Sequence, residues 1–418
     1  MFAIPGFLVL TVVMAGVVFI IHQRKGLAAA FSSATLLSIF GGLAGLISVV
    51  QSELAYKIVW AVCGMTSLLC LVGKGLSFKG KIFQSGFFQV ALVLTLMVSG
   101  LGWIETLTGC LARSGRIALY SPVITVMNKT GGEDWRAAHI TADSSRIPDP
   151  YLMWRPVPWG VYTSQGFKGP LAETPKPAKT FRIFTYGDSN VDGPDYGGWP
   201  IDLQEYFHQR GNSQIQVINA GVAGYSSFQG LRRFKSEVDI YTPDVVLVSF
   251  GWNDLPLTTG KPDKDYHSPP VIISYILKGL YRFQFYRAMQ ALVPSRPAST
   301  EATQVPRVDP TDYLNNLNEF VAEGKKRNIL VILMTRPHRD SEEVLKQNPT
   351  WRRNVTTYNK ALRSLAIERQ WLFFDAENEM SDSKFYLDEC HFTREGYRDF
   401  SKRVGAFLER KGLLPAKL

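Results

Sequence analysis

From Phe181 onward the chain alternates short apolar runs with stretches of helical periodicity, and this alternation restricts the possible folds more than any other feature. Strand-like runs fall at 181–186, 214–219, 244–250, 329–334 and 371–375. Helix-like runs lie near 199–210, 227–236, 311–327, 351–369 and 394–411. Parallel strands buried on both faces read as nearly continuous apolar segments, and helices supply their crossovers. The pattern predicts an α/β fold, a three-layer α/β/α sandwich around a five-stranded, mostly parallel sheet. Ligands bind such sheets outside the carboxyl ends of the strands, so the residues that end each run are where chemistry belongs.

Those ends are distinctive. The first run ends in Gly187-Asp188-Ser189-Asn190, the second in Asn219-Ala220-Gly221-Val222-Ala223-Gly224, and the third in Gly251-Trp252-Asn253-Asp254. Before the last helix-like run comes Asp388-Glu389-Cys390-His391. Each pattern also has an ordinary reading. Gly-Asp-Ser fills common turns, Gly221 and Gly224 shape a βα connection, and Asn253 and Asp388 are good helix caps. Asp188 reads as a turn-stabilising residue, Cys390 as packing, and Trp199 and Trp252 as core before pocket lining. Arg336 and His338 follow the fourth run at the same edge, where a substrate contact is the alternative to packing. In a parallel sheet, however, all four patterns are delivered to one rim.

The ordered set GDS, NxGxxG, GxND and DxxH resembles the SGNH (GDSL-type) hydrolase superfamily over residues 181–412. The serine block and the segment before it also resemble bacterial membrane-tethered members. No GxSxG elbow is present, which separates the chain from the α/β-hydrolase family. The resemblance implies a flavodoxin-like sheet and a serine esterase that works through an acyl-enzyme without metal or cofactor. Ser189 is then the nucleophile, His391 its general base, and Asp388 the group that holds the imidazole and stabilises its charged form. The resemblance assigns the oxyanion hole to the backbone N–H groups of Ser189 and Gly224 and the side-chain amide of Asn253. The match departs from the family after Asn253, where a long insertion intervenes. An O-acyltransferase or a lysophospholipase would use the same triad. From a different class, a catalytically silent envelope binding or assembly protein is the rival.

The first quarter has another character. Four apolar stretches, about 3–21, 28–50, 55–73 and 82–104, are each long enough to cross roughly 30 Å of hydrocarbon as a helix. They predict an all-α transmembrane region of four helices over residues 1–104 and make the lipid bilayer a partner. The net charge of +10 is concentrated here, since residues 1–120 hold eight Lys/Arg against two acidic residues. No basic cluster is interleaved with aromatics, so nucleic acid is not expected. Arg24 and Lys25 in the first loop and Lys74, Lys79 and Lys81 in the third outnumber Lys57 in the second loop and Arg113 and Arg116 after the fourth stretch. The positive-inside rule then places both the amino terminus and the catalytic domain outside the cytoplasm, on the periplasmic side. Acylated glycans of the cell envelope, with O-acetyl groups foremost, become the expected substrate. Four scattered cysteines give no disulfide framework and no zinc pattern.

Residues 105–180 form a connector. Its first part is mixed in character, whereas Arg146–Thr180 holds seven prolines with Tyr151, Trp154, Trp159, Tyr162 and Phe167. Proline at this density excludes a continuous helix. The segment reads as a strap laid over the catalytic domain or as a linker, and residue types alone do not separate the two. Residues 181–418 make up the catalytic domain, with the insertion at about 255–310. Within the insertion Ile273, Ile276, Leu277, Leu280 and Phe283 recur at helical spacing. A helix packed on its own domain is expected, with a lid or membrane-surface helix as the alternative.

Overall fold

The computed structural model describes residues 104–120 (except 106 and 113), 146–157, 161–292 (except 256 and 260), 304–339 and 349–415. The chain divides into two compact units, Met1–Tyr120 with Lys278–Pro294, and Ser121–Leu277 with Ser295–Leu418. The apolar stretches at 3–21, 28–50, 55–73 and 82–104 lie outside the described residues, Ile104 excepted. Among the described residues no helix is long and apolar enough to cross a membrane.

The larger unit opens with an antiparallel ribbon of β1 (Arg146–Asp149) and β2 (Met153–Pro156). There follow β3 (Phe181–Gly187), α1 (Ser189–Asp192), α2 (Gly198–Gln209), β4 (Ile215–Asn219), α3 (Ser227–Tyr241) and β5 (Val245–Ser249). The insertion contains β6 (Leu257–Thr259), α4 (Val271–Leu280), α5 (Gln284–Ala291) and β7 (Gln304–Pro306), of which α5 and the last three residues of α4 belong to the smaller unit. The chain then runs through α6 (Pro310–Lys326), β8 (Leu330–Met334), α7 (Pro349–Glu368), β9 (Phe373–Phe374), α8 (Ala376–Glu379) and α9 (Arg394–Arg410).

The main sheet has five strands in the order β4-β3-β5-β8-β9, and every neighbouring pair is parallel. That is the doubly wound order of flavodoxin-like folds. Side-chain alternation shows why the sheet is covered twice. On β5, Val245 and Leu247 join one core while Val246 and Val248 join the other, and on β8 Ile332 and Met334 oppose Val331 and Leu333. One core is completed by Leu203 and Phe207 of α2 and Phe400 and Val404 of α9. The other is completed by Phe234 of α3, Leu317 and Phe320 of α6 and Leu362 of α7.

Local chemistry fixes the helix starts. Ser226 and Gln229 form a reciprocal capping box at α3, and Asp309 caps α6, whose first residue is a proline. Thr393 caps α9 through the Gly396 N–H. These caps are followed by apolar faces at helical spacing, so local and tertiary preferences agree.

The connector from 146 to 180 contributes buried side chains to this unit: Trp154, Phe167 and Ala172 have no exposed surface, and Tyr162 has 6%. Lys168 and Asn219 bridge through their backbones, with N–O distances of 3.0 and 3.2 Å. The insertion leaves and rejoins the domain through β6 and β7, which pair antiparallel with Leu257 opposite Pro306. Its helix α4 departs from the packed helix expected from spacing. None of its residues is buried, and Val271, Ile272 and Tyr275 are more than 70% exposed. Apart from a narrow stripe of Ser274 and Lys278, apolar residues surround it, so the spacing of Ile273, Ile276 and Leu280 does not mark a face that packs.

In the smaller unit residues 104–105 and 107–112 are helical. The Glu105 carboxylate accepts the N–H groups of Gln284 (2.6 Å) and Phe285 (2.9 Å), capping the start of α5. Arg287 Nε donates to the Tyr120 carbonyl at 3.2 Å.

Candidate active site

Strand β3 ends at Gly187, and the chain turns at once into α1, which presents Ser189 at the carboxyl rim of the sheet. The turn is set by Asp188, whose side chain accepts the Asn190 N–H at 2.9 Å. The other Asp188 oxygen meets Arg336 Nε at 2.8 Å, and neither side chain reaches solvent beyond 1%. Arg336 is therefore a buried partner of the serine turn, and the alternative of a substrate contact is corrected: a guanidinium with no exposed surface cannot meet a ligand at the rim. His338 is also mostly buried, 3.5 Å from Glu377. Trp199 belongs to the core, edge-on to Phe400, and Trp252 packs against the opposite core under Arg336.

Two hundred residues downstream the loop before α9 brings the other groups. Asp388 Oδ2 lies 2.7 Å from His391 Nδ1, and His391 Nε2 lies 2.7 Å from Ser189 Oγ. Asp388 Oδ1 also accepts the N–H groups of Cys390 (2.9 Å) and His391 (2.7 Å), which fixes the loop. A further stitch ties it to the serine helix. Asn190 Nδ2 donates to the Cys390 carbonyl at 2.9 Å, and Arg336 donates to the same oxygen at 3.2 Å. The three polar groups form a continuous chain because two loops far apart in sequence share hydrogen bonds at their roots.

The electrostatics follow from this arrangement. Burial pushes the Asp388 carboxyl up, but the His391 ring and the two N–H groups outweigh it and hold the carboxyl at about 2. For His391 burial disfavours the charged ring. A Cys390 thiolate and the Asp388 carboxylate would each favour it and shift it upward. Burial raises the Cys390 thiol above its ordinary value, so at neutral pH that neighbour is uncharged. The upward shift that survives comes from Asp388, and its direction favours imidazolium.

The remaining blocks converge on the same rim. Asn219, at the end of β4, donates to the carbonyls of Val191 and Gly197, both at 2.8 Å, and accepts the Gly221 N–H at 2.9 Å. A Cβ on Gly221 would stand 2.4 Å from the Asp192 nitrogen, so only glycine lets the two loops approach this closely. Gly224 has φ +84°, a left-handed conformation that costs other residues energy. Among the described residues the N–H groups of Ser189 and Gly224 have no protein acceptor. Asn253 is buried, and its Nδ2 donates to the Tyr225 carbonyl at 3.3 Å, which leaves its second N–H for another acceptor. Its neighbour Asp254 accepts from Ser227 N, Ser227 Oγ and Gly251 N, and burial pushes its carboxyl up to about 7.

Sequence reasoning passed over Asp192. This buried carboxylate accepts the Tyr162 hydroxyl (2.8 Å), pairs with Lys168 (2.9 Å) and accepts the Ala223 N–H at 3.2 Å. Lys168 also donates to the carbonyls of Asp192, Gly193 and Pro194. The polar residues spaced among the aromatics of the connector were the available signal. As for metals, one group among the described residues, Asp388, Cys390 and His391, brings ligand-capable atoms within 4.8 Å. Both ring nitrogens of His391 are engaged by Asp388 and Ser189, and the thiol is buried and neutral, which fits a proton relay better than a cation site.

A model of the GDSL-like lipase/acylhydrolase family matches residues 185–398. An uncharacterized lipoprotein, YqeF, of Bacillus subtilis (strain 168) is 33% identical over 88 residues, covering 19% of this chain and 35% of that protein. The chain thus spans about a third of the length of this curated relative. Among solved structures, a lipase/acylhydrolase from Enterococcus faecalis shares 21% identity over 57% of this chain and 100% of that one, with a TM-score of 0.39. A GDSL-like lipase from Bacteroides thetaiotaomicron VPI-5482 shares 16% identity over 57% and 93% of the two chains, with a TM-score of 0.38.

Proposed function

This chain belongs to the GDSL-like lipase/acylhydrolase family, and from that premise we propose that it is a membrane-anchored serine esterase working through an acyl-enzyme. The observation that carries the reading is the unbroken relay from Asp388 Oδ2 through both nitrogens of His391 to Ser189 Oγ, each step 2.7 Å long. His391 Nε2 takes the Ser189 proton as Oγ attacks the ester carbonyl, and Asp388 stabilises the imidazolium that forms. The oxyanion is received by the N–H groups of Ser189 and Gly224 and by the Asn253 amide; removing one such donor typically costs about 3–4 kcal/mol of transition-state stabilisation. Collapse breaks the C–O bond to the alcohol, which leaves with the proton from His391. Water, deprotonated by the same imidazole, then cleaves the acyl-enzyme and restores Ser189.

For the substrate, the four apolar stretches and the loop charges support a catalytic domain facing the envelope, where O-acyl groups on glycans, acetyl foremost, are the accessible esters. A sugar hydroxyl in place of water in the second step would make the same residues a transferase. The bare apolar surface of α4 favours a lipid ester such as a lysophospholipid as the second reading. Hydrolysis of a chromogenic acetyl ester by the full chain tests the chemistry: activity lost in Ser189→Ala and His391→Ala supports it, and equal rates in all three chains sink it. An alkaline phosphatase fused after residue 418 tests the topology; activity is expected from the fusion, and a silent phosphatase with an active cytoplasmic reporter would reverse the orientation.

A further inference from the structure

Gly224 sits in a short loop whose backbone polar groups can be accounted for one by one. The Ala223 N–H donates to Asp192 at 3.2 Å, and the Ala223 carbonyl accepts Trp154 Nε1 at 3.3 Å. The Gly224 carbonyl accepts Arg307 at 2.8 Å. The Tyr225 N–H donates to the Val222 carbonyl at 3.1 Å, and the Tyr225 carbonyl accepts Asn253 at 3.3 Å. Across residues 223–225 the Gly224 N–H alone has no protein acceptor among the described residues. Buried backbone groups are almost always paired, so the exception marks a donor kept for something else.

The direction of that donor is set from outside the loop. In a trans peptide the carbonyl and the N–H point in opposite directions, and the bond between Ala223 and Gly224 is trans. Fixing the Ala223 oxygen on Trp154 therefore aims the Gly224 N–H the other way. Arg307 fixes the next peptide plane through the Gly224 oxygen. Both holders are themselves immobilised. Trp154 has no exposed surface, its carbonyl accepts the Tyr225 hydroxyl at 2.5 Å, and its ring lies edge-on to Tyr225. Arg307, also fully buried, pairs with Asp263 at 2.9 Å, donates to Gln229 at 2.7 Å and lies over the Trp154 ring. Asp263 in turn accepts the Ser226 hydroxyl at 2.6 Å.

We propose that Trp154 of the connector and Arg307 at the end of the insertion are positioning residues that clamp the Gly224 N–H in line for the oxyanion. Trp154 lies outside the family match of 185–398, whereas Arg307 lies within it, just after β7 where the insertion rejoins the domain. The inference rests on the serine-esterase reading. It gives the connector and the insertion a catalytic consequence without either touching substrate.

The test uses the full chain in detergent with p-nitrophenyl acetate, normalised to serines titrated by a fluorophosphonate. Trp154→Phe keeps an aromatic ring, though a smaller one, but removes the indole N–H, and Arg307→Lys keeps the charge but removes the fork that reaches Gly224. Phe167→Leu, a change at a buried connector residue whose ring packs edge-on to Phe184 and Tyr241, controls for loss of stability. We expect kcat to fall about tenfold in the first two, a fraction of the 10²–10³ typical of deleting a donor outright. KM should stay within twofold, and Phe167→Leu should keep the wild-type kcat. Unchanged kcat in Trp154→Phe and Arg307→Lys, with Ser189→Ala inactive, overturns the clamp and leaves the esterase standing. An equal loss in Phe167→Leu also overturns it, because general loosening then suffices. Absence of any Ser189-dependent turnover or labelling removes the esterase reading and the clamp with it.

Discussion

The guanidinium of Arg336, at the end of β8, lies 2.8 Å from the carboxylate of Asp188, the residue immediately before Ser189, and both side chains are sealed from solvent. A charge removed from water is tolerated only when paired, and removing one partner leaves the other stranded. Arg336 also reaches the Cys390 carbonyl, so one buried cation joins the serine turn to the histidine loop.

Replacing that cation should therefore damage stability and geometry together. Arg336→Met is expected to cost about 3–5 kcal/mol of unfolding free energy, the range for stranding a buried partner. The double variant Asp188→Asn/Arg336→Met should recover part of that loss, since it removes both charges. Denaturant unfolding of the three chains measures the difference, and a single variant as stable as the wild type would show that the pair holds nothing together.

The pH profile should carry the mark of Asp388. His391 must be unprotonated to accept the serine proton, and Asp388 favours the protonated ring, so the acid limb of kcat/KM should lie above the 6.5 of an unperturbed imidazole. Asp388 itself, held at about 2, stays charged throughout an ordinary assay range. Asp388→Asn should move the limb to lower pH and reduce kcat by up to roughly 10⁴, as loss of the carboxylate does in other serine triads. A limb that stays in place in this variant would show that the carboxylate does not govern the ring.

Gly221 offers a purely steric test. Its added Cβ would meet the Asp192 nitrogen at 2.4 Å and the Val191 carbonyl carbon at 2.8 Å, so backbone must give way. Gly221→Ala is expected to cost about 1–3 kcal/mol, typical of overpacking, and to lower kcat by separating the serine helix from the loop that carries Gly224. Thermal melting and turnover check the two effects; a variant unaltered in both would mean the loops have room to spare.

Much of the fold was legible because its signals are local. The apolar run at 244–250 reads as a strand buried on both faces, the periodicity at 311–327 reads as α6, and the four blocks sit where strands end or before the last helix, so their meeting at one rim follows from parallel pairing. What was not legible depends on partners distant along the chain. Nothing near Arg307 says that it will reach Gly224, and nothing near Trp154 says that its indole will hold Ala223. The same limit explains α4, where helical spacing of apolar residues predicted a packed face although none of its residues is buried. Arg336, for which a substrate contact was the alternative to packing, is buried as the counter-charge of Asp188, a partner distant along the chain.

Localisation of a fluorophosphonate adduct by peptide mass spectrometry tests the central claim most directly, since covalent capture requires a serine already activated by its base. The expected result is one adduct, on Ser189, formed by the wild-type chain and lost in His391→Ala. No adduct, an adduct on another residue, or undiminished labelling of Ser189 in His391→Ala would contradict the relay.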